Sequence, residues 1–147
     1  MAGSASIGAL FTQRVVVGVG DLAVSNNTQM VLSTYALGSC IGVLAYDPIV
    51  KTGGILHLML PESSIAPHKV ATHPAMFADT GLPALMRALV GLRADRSRLR
   101  VLVAGGASVL GGVDPFKIGE RNAQVALDWL AREAITVRHV DVGGTVN

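Results

Sequence analysis

Cysteine and histidine are the two residue types that readily make a nucleophile and its base at neutral pH, and this chain of 147 residues holds one cysteine, Cys40, with His57 following it. The thiolate is the attacking species, so a thiol needs a neighbouring base to take its proton. The stretch between them reads as a hairpin: Ile41 to Tyr46 and Gly54 to Leu60 are β-like runs. They meet at Asp47-Pro48-Ile49-Val50, with Asp and Pro at the first two positions of a type I turn. A turn centred between Pro48 and Ile49 sets Cys40 directly opposite His57, with Cβ atoms about 4.5–5.5 Å apart. A wider loop running to Gly53 sets His57 opposite Val43 instead. Both registers are compatible with the sequence, and a free cysteine is more often a small buried hydrophobe than a nucleophile.

Three local features favour chemistry. Alternation in Ile55-Leu56-His57-Leu58-Met59-Leu60 places His57 on the face opposite Leu56 and Leu58, so a polar ring is held where it needs a partner. Gly38 and Ser39 remove bulk before Cys40 and leave backbone N–H groups able to approach a developing oxyanion. Thr34 offers a hydroxyl and a carbonyl that can orient an imidazole, the third role of a triad. From spacing alone, however, Thr34 is an ordinary strand threonine.

The elements that must position these residues follow the hydrophobic pattern. Residues 1–13 are expected to be a disordered tail, and 14–147 a single domain. Arg14 to Gly20, Met30 to Ala36, Leu99 to Ala104 and Ile135 to Val142 read as further strands, and Asp21 to Gln29 as a loop around the turn signal Ser25-Asn26-Asn27. Leu82, Leu85, Met86, Leu89 and Val90 recur at helical spacing. That helix starts either at Thr80 as N-cap with Pro83 in its first turn, or near Ala75 with Pro83 as a kink. Asp79 reads as a helix-start residue rather than a catalytic acid. Arg121 to Ala134 forms a second helix with Val125, Ala126, Trp129 and Leu130 inward, after a glycine-rich loop from Gly105 to Gly119. Strands bunch in the first half, which favours α+β with a largely antiparallel sheet system over a doubly wound parallel sheet.

Half the residues are hydrophobic and 15% charged, below the usual charged share of about 25%. Much of the surface must be apolar or small, which suits a partner-binding protein or an oligomer. Mean hydropathy is +0.50, yet no run approaches the roughly 18 apolar residues of a spanning helix. No membrane insertion is expected. The first residues lack the basic start of a signal peptide, and one cysteine cannot close an intramolecular disulfide, so the cytoplasm is the expected location. A formal charge of +2 and 4% aromatic residues argue against nucleic acid. Arg93 to Arg100 is then either a solvated connection or a docking patch for an acidic protein. His68, His73 and His139 show no metal-ligand spacing, and neither Gly105-Gly106-Ala107 nor Gly111-Gly112 completes a phosphate-binding motif, so no metal or cofactor is expected.

In chain order, Leu37-Gly38-Ser39-Cys40, Gly54-Ile55-Leu56-His57-Leu58-Met59-Leu60-Pro61, Ala78-Asp79-Thr80, Gly105-Gly106-Ala107, Ile118-Gly119-Glu120-Arg121-Asn122 and Asp141-Val142-Gly143-Gly144 resemble the CheD chemotaxis proteins, which are chemoreceptor glutamine deamidases. The resemblance runs from about Val15 to Gly144. It implies a β-sandwich-like core flanked by helices, similar to deamidating toxin domains. It also implies a protein-glutamine glutaminase with Cys40, His57 and Thr34 as its catalytic residues, Ser39 and Gly38 at the oxyanion, and the chemoreceptor cytoplasmic region as substrate. A CheC-type phosphatase is the further partner it implies. The chain departs from the family pattern at Val142, where threonine is common, and in ending at Asn147 where the pattern continues. The competing reading is a non-catalytic module that regulates such a phosphatase or receptor by binding.

Overall fold

The computed structural model describes residues 13–108 and 116–144. The expected tail therefore falls outside the described residues except for Gln13, which already lies in a strand, and so does part of the glycine-rich loop. The elements run β1 (Gln13–Val16), β2 (Asp21–Ser25), β3 (Met30–Ser33), β4 (Ile41–Asp47), β5 (Thr52–Leu58), α1 (Ala78–Gly91), β6 (Arg100–Gly105), α2 (Ile118–Arg132) and β7 (Val137–Val142). A five-stranded sheet is ordered β2-β5-β4-β6-β7, antiparallel except for β6 against β7; β1 and β3 form a separate parallel pair. Among the described residues the fold is thus α+β with a mixed, mostly antiparallel sheet and two α-helices.

Alternation along the central strands decides which face is dry. Ile41, Val43 and Ala45 of β4, Leu56 and Leu58 of β5, and Val101 and Val103 of β6 join Leu82, Leu85 and Leu89 of α1 and Ala126 and Leu130 of α2 in one core. Gly54 lets α1 sit close: a Cβ there would lie 3.0 Å from Leu85 Cδ1 and 3.2 Å from Leu89 Cδ2. The opposite face carries Gly42, Leu44 and Tyr46 from β4 with Gly53, Ile55 and His57 from β5, residues paired row by row.

Two local expectations change. Asp21–Ser25 is an edge strand, because Ala23 and Val24 pair with Ile55 and Gly54 of β5; its weak intrinsic propensity is overridden by that pairing. Thr80 is not the cap of α1. Phe77 takes that position, and the Thr80 hydroxyl donates to the Pro74 carbonyl at 2.5 Å.

Two members of the arginine cluster, Arg96 and Arg98, are engaged within the molecule. Arg98 reaches the fully buried Asp47 with Nη2 at 2.8 Å from Oδ2 and Nε at 3.1 Å from Oδ1, and Arg96 pairs with Glu133 at 3.0 Å. The Asp95 and Ile49 N–H groups also donate to Asp47, at 2.8 and 2.9 Å. Asp47 thereby ties the β4–β5 turn to the connection entering β6. The Arg98 guanidinium, with help from those amides, holds its carboxyl well below the usual carboxylate range. A depressed native pKa stabilises the fold above the unfolded value of about 3.9 and loses that contribution as pH falls below it. Asp47→Asn is therefore expected to lower Tm near neutral pH and to flatten the fall of Tm below about pH 4, as thermal melts across that range would show.

Candidate active site

The β4–β5 register places the two chemical residues differently from either sequence expectation. Gly42 faces His57 and Ile41 faces Leu58, closing at Asp47 with Thr52. The connection therefore holds four residues, Pro48 to Lys51, and Lys51 turns through φ 55° at its end. Cys40 lies just before β4, on the His57 side by alternation and one diagonal step from the Gly42–His57 pair.

Gly42 makes room on that face. A Cβ at that position would come within 3.2 Å of Leu37 Cδ2 and 3.8 Å of Thr34 Cγ2, so Leu37 and Thr34 fold down beside His57. Beneath them His57 is 1% exposed. Thr34 Oγ1 lies 2.8 Å from His57 Nδ1 and 2.7 Å from the Val17 carbonyl oxygen. A hydroxyl has one proton. The Val17 carbonyl can only accept it, so Thr34 must accept from the ring, and Nδ1 carries the hydrogen. This network assigns the tautomer and leaves the Nε2 lone pair as the basic atom. Among the described residues Nε2, which is buried, has no hydrogen-bond partner. Buried polar atoms are rarely left so, and an orphaned imidazole lone pair suits a group that takes a proton during turnover.

The thiol is presented by a tight corner. Cys40 N–H donates to the Leu37 carbonyl at 2.6 Å, and Gly38 supplies the φ of 50° that the turn requires. This bond engages the Cys40 amide, so the oxyanion donors expected at Gly38 and Ser39 do not extend to it. On the other side Gly106 N–H donates to the Cys40 carbonyl at 2.8 Å, and Ala107 N–H to the Gly38 carbonyl at 2.8 Å. Gly105 is needed for that approach: its φ is 104°, and a Cβ would collide with the Cys40 carbonyl oxygen.

Asn122 completes the frame. Fully buried on α2, it donates through Nδ2 to the Ser39 carbonyl at 2.9 Å and to the Met59 carbonyl at 3.1 Å. One side chain thus holds the segment before Cys40 against the segment after His57. Asn122 stood in a recognised sequence block without an assigned role, because its partners are far away in the chain.

Burial pushes the Cys40 thiol up from its ordinary value and lowers His57, the latter opposed by the Val17 carbonyl. Both directions favour a neutral resting pair over a thiolate–imidazolium pair. Alkylation of Cys40 by iodoacetamide is therefore expected to rise with pH to a midpoint above about 8.5, the free-thiol value. A plateau already reached near pH 6 would contradict the neutral pair. Among the described residues, no group of three or more histidine, cysteine, aspartate or glutamate side chains is placed to hold a metal.

The family model for CheD chemotactic sensory transduction matches residues 59–147. A protein of Syntrophus aciditrophicus named probable chemoreceptor glutamine deamidase CheD 1 is 46% identical over 133 residues, covering 90% of this chain and 83% of the relative. Proteins of Solibacter usitatus and Pyrococcus abyssi, both named probable chemoreceptor glutamine deamidase CheD, are 44% and 40% identical over 90% of this chain, covering 79% and 81% of the relatives. The family-model match begins past His57, whereas matches over nine-tenths of the chain take in Thr34, Cys40 and His57.

Proposed function

This chain belongs to the CheD family, and on that premise we propose that it is a protein-glutamine glutaminase, a hydrolase that converts glutamine side chains of chemoreceptors to glutamate. The observation that carries the chemistry is the chain Val17 carbonyl, Thr34 hydroxyl, His57 Nδ1–H, which leaves a buried Nε2 lone pair beside the Cys40 corner. In the proposed cycle His57 Nε2 takes the Cys40 proton as the thiolate attacks the carboxamide carbon. The thiol closes on Nε2 as substrate enters, since such contacts tighten in the complex. The C=O π bond opens to an oxyanion, met by donors at Gly38 and Ser39. As the C–O double bond re-forms the C–N bond breaks, and the Nε2 proton leaves with ammonia. Water, deprotonated by the same Nε2, attacks the thioester; the C–S bond breaks and Cys40 regains its proton. The balance is glutamine plus water to glutamate plus ammonia.

Thr34 is a positioning residue in this scheme. It fixes which nitrogen is basic and accepts from the imidazolium that forms, the part a carboxylate plays in other triads.

Residues 14–147 form one CheD-like domain in this proposal, with β1 and β3 layered on the outer face of the large sheet as a reduced sandwich similar to deamidating toxin domains. Thr34, following β3, reaches His57 of β5, which supports that layering. The enzyme works in the cytoplasm on the receptors' cytoplasmic region, and no helix among the described residues is long and apolar enough to cross a membrane. A CheC-type phosphatase is a further partner, for which exposed apolar side chains such as Tyr35, Ile49 and Phe116 offer surface.

Incubating the protein with a glutamine-bearing chemoreceptor cytoplasmic fragment tests the proposal. Ammonia release matched by glutamate at defined positions in site-resolved mass spectra is expected. An unmodified fragment, with binding intact, would favour the non-catalytic module.

A further inference from the structure

Asn122 is fully buried, and among the described residues its Oδ1 meets no donor, while its Nδ2 donates to two backbone carbonyls, Ser39 at 2.9 Å and Met59 at 3.1 Å. Both partners can only accept, so the amide must present its NH2 group to them and leave its oxygen unmet. A buried acceptor without a donor is costly, and an apolar side chain would avoid that cost. The two donated bonds are what the asparagine contributes in return.

Those bonds act on the corner that ends in Cys40. Ser39 lies between two planar peptides, and its φ and ψ are the soft torsions that relate them. The Gly38–Ser39 plane is held through the Gly38 carbonyl, which accepts from Ala107 N–H at 2.8 Å. The Ser39–Cys40 plane is held at both ends, by Asn122 on the Ser39 carbonyl and by the Leu37 carbonyl on the Cys40 N–H. With both planes held, the direction of Ser39 N–H is fixed. In a trans peptide that N–H points opposite to the Gly38 carbonyl and so away from Ala107. No acceptor lies against it among the described residues.

The second bond reaches the other half of the site. Met59 is two residues beyond His57, so one amide group also ties the thiol corner to the strand that carries the base. Gly119 admits α2 to this position, since a Cβ there would lie 2.6 Å from the Ala107 and Gly106 carbonyl oxygens.

We propose that Asn122 is a positioning residue for the reaction: it aims the Ser39 N–H as the free donor that meets the oxyanion, without touching substrate itself. The inference rests on the deamidase reading and adds a residue to its machinery. A donor whose direction is already fixed needs no reorganisation when negative charge develops on the substrate oxygen, the condition under which it stabilises that charge most.

The test separates oxyanion support from the rest of the site. Iodoacetamide alkylates Cys40 by displacing iodide from a saturated carbon and forms no oxyanion, whereas attack on a carboxamide forms one. Asn122→Ala is therefore expected to lose about tenfold to a hundredfold in kcat on the chemoreceptor fragment, at or below the cost of a lost oxyanion donor. Its KM and its rate of alkylation should stay close to wild type. Asn122→Asp, which keeps the size of the side chain and cannot donate when ionised, should show the same split. Unchanged kcat in either folded variant would overturn the proposal. Alkylation that changes in step with kcat would overturn it too, because that marks a general loosening of the corner.

The wild-type protein supplies an independent reading that needs no variant to fold. The Cys40 sulfur adds to the carbonyl carbon of butanal, which has the carbon chain of the glutamine side chain, and the aldehyde oxygen takes the oxyanion's place. In nitrogen–proton correlation spectra of that adduct the Ser39 amide proton should move downfield, and an unmoved resonance would overturn the proposal. A shifted Ser39 amide in a protein that releases no ammonia from the receptor fragment would uphold the aimed donor and remove the deamidase reading instead.

Discussion

Cys40→Ala is expected to reduce glutamate formation in a chemoreceptor fragment by at least about a thousandfold, the scale on which enzymes lose rate with their nucleophile. No other side chain replaces it, since the chain contains a single cysteine. The substitution removes a half-buried sulfur without touching the turn, whose Leu37 to Cys40 and Gly106 to Cys40 bonds use only backbone atoms. Tm and peptide binding should therefore stay close to wild type. Loss of ammonia release with both preserved separates lost chemistry from lost fold.

His57→Asn is expected to cost about 10²–10⁴-fold in kcat, the usual contribution of a positioned general base. In the wild type, activity should fall on the acid side as Nε2 becomes protonated. Because burial lowers His57, that acid limb belongs below the ordinary histidine value of about 6.5. Thr34→Val separates orientation from proton transfer. Valine keeps the shape but removes the acceptor for Nδ1–H, so the imidazolium loses a stabilising bond. The acid limb should then move to still lower pH while kcat falls, and Thr34→Ser should restore both. A Thr34→Val enzyme with wild-type kcat and an unmoved profile would limit Thr34 to packing.

The residues differ in how far the chain alone reveals them. Cys40 and His57 stand out locally, one as the only thiol and the other as a polar ring in an apolar strand. Their mutual position does not, because it depends on Lys51 adopting φ 55°, which lengthens the connection and moves the register. The β2 strand was hidden for the same kind of reason: Asp21 to Ser25 has little strand propensity of its own and is ordered by β5. Thr34 acquires meaning only through Val17, and Asn122 only through Ser39 and Met59. Those contacts span long stretches of chain, where periodicity carries no information. The core pattern was more legible, since Leu82, Leu85, Met86 and Leu89 are buried as their spacing requires, although Val90, read in the same pattern, is exposed.

The central claim is that the Cys40 thiol performs the hydrolysis, and the single cysteine permits a direct measurement. The protein is capped by graded amounts of methyl methanethiosulfonate, which adds only a small methylthio group. Glutamate formation in the receptor fragment is followed by site-resolved mass spectrometry before and after a reductant removes the cap. Activity should decline in proportion to the capped fraction, reach zero at full modification, and return on reduction. Undiminished glutamate formation by fully capped protein would contradict the mechanism.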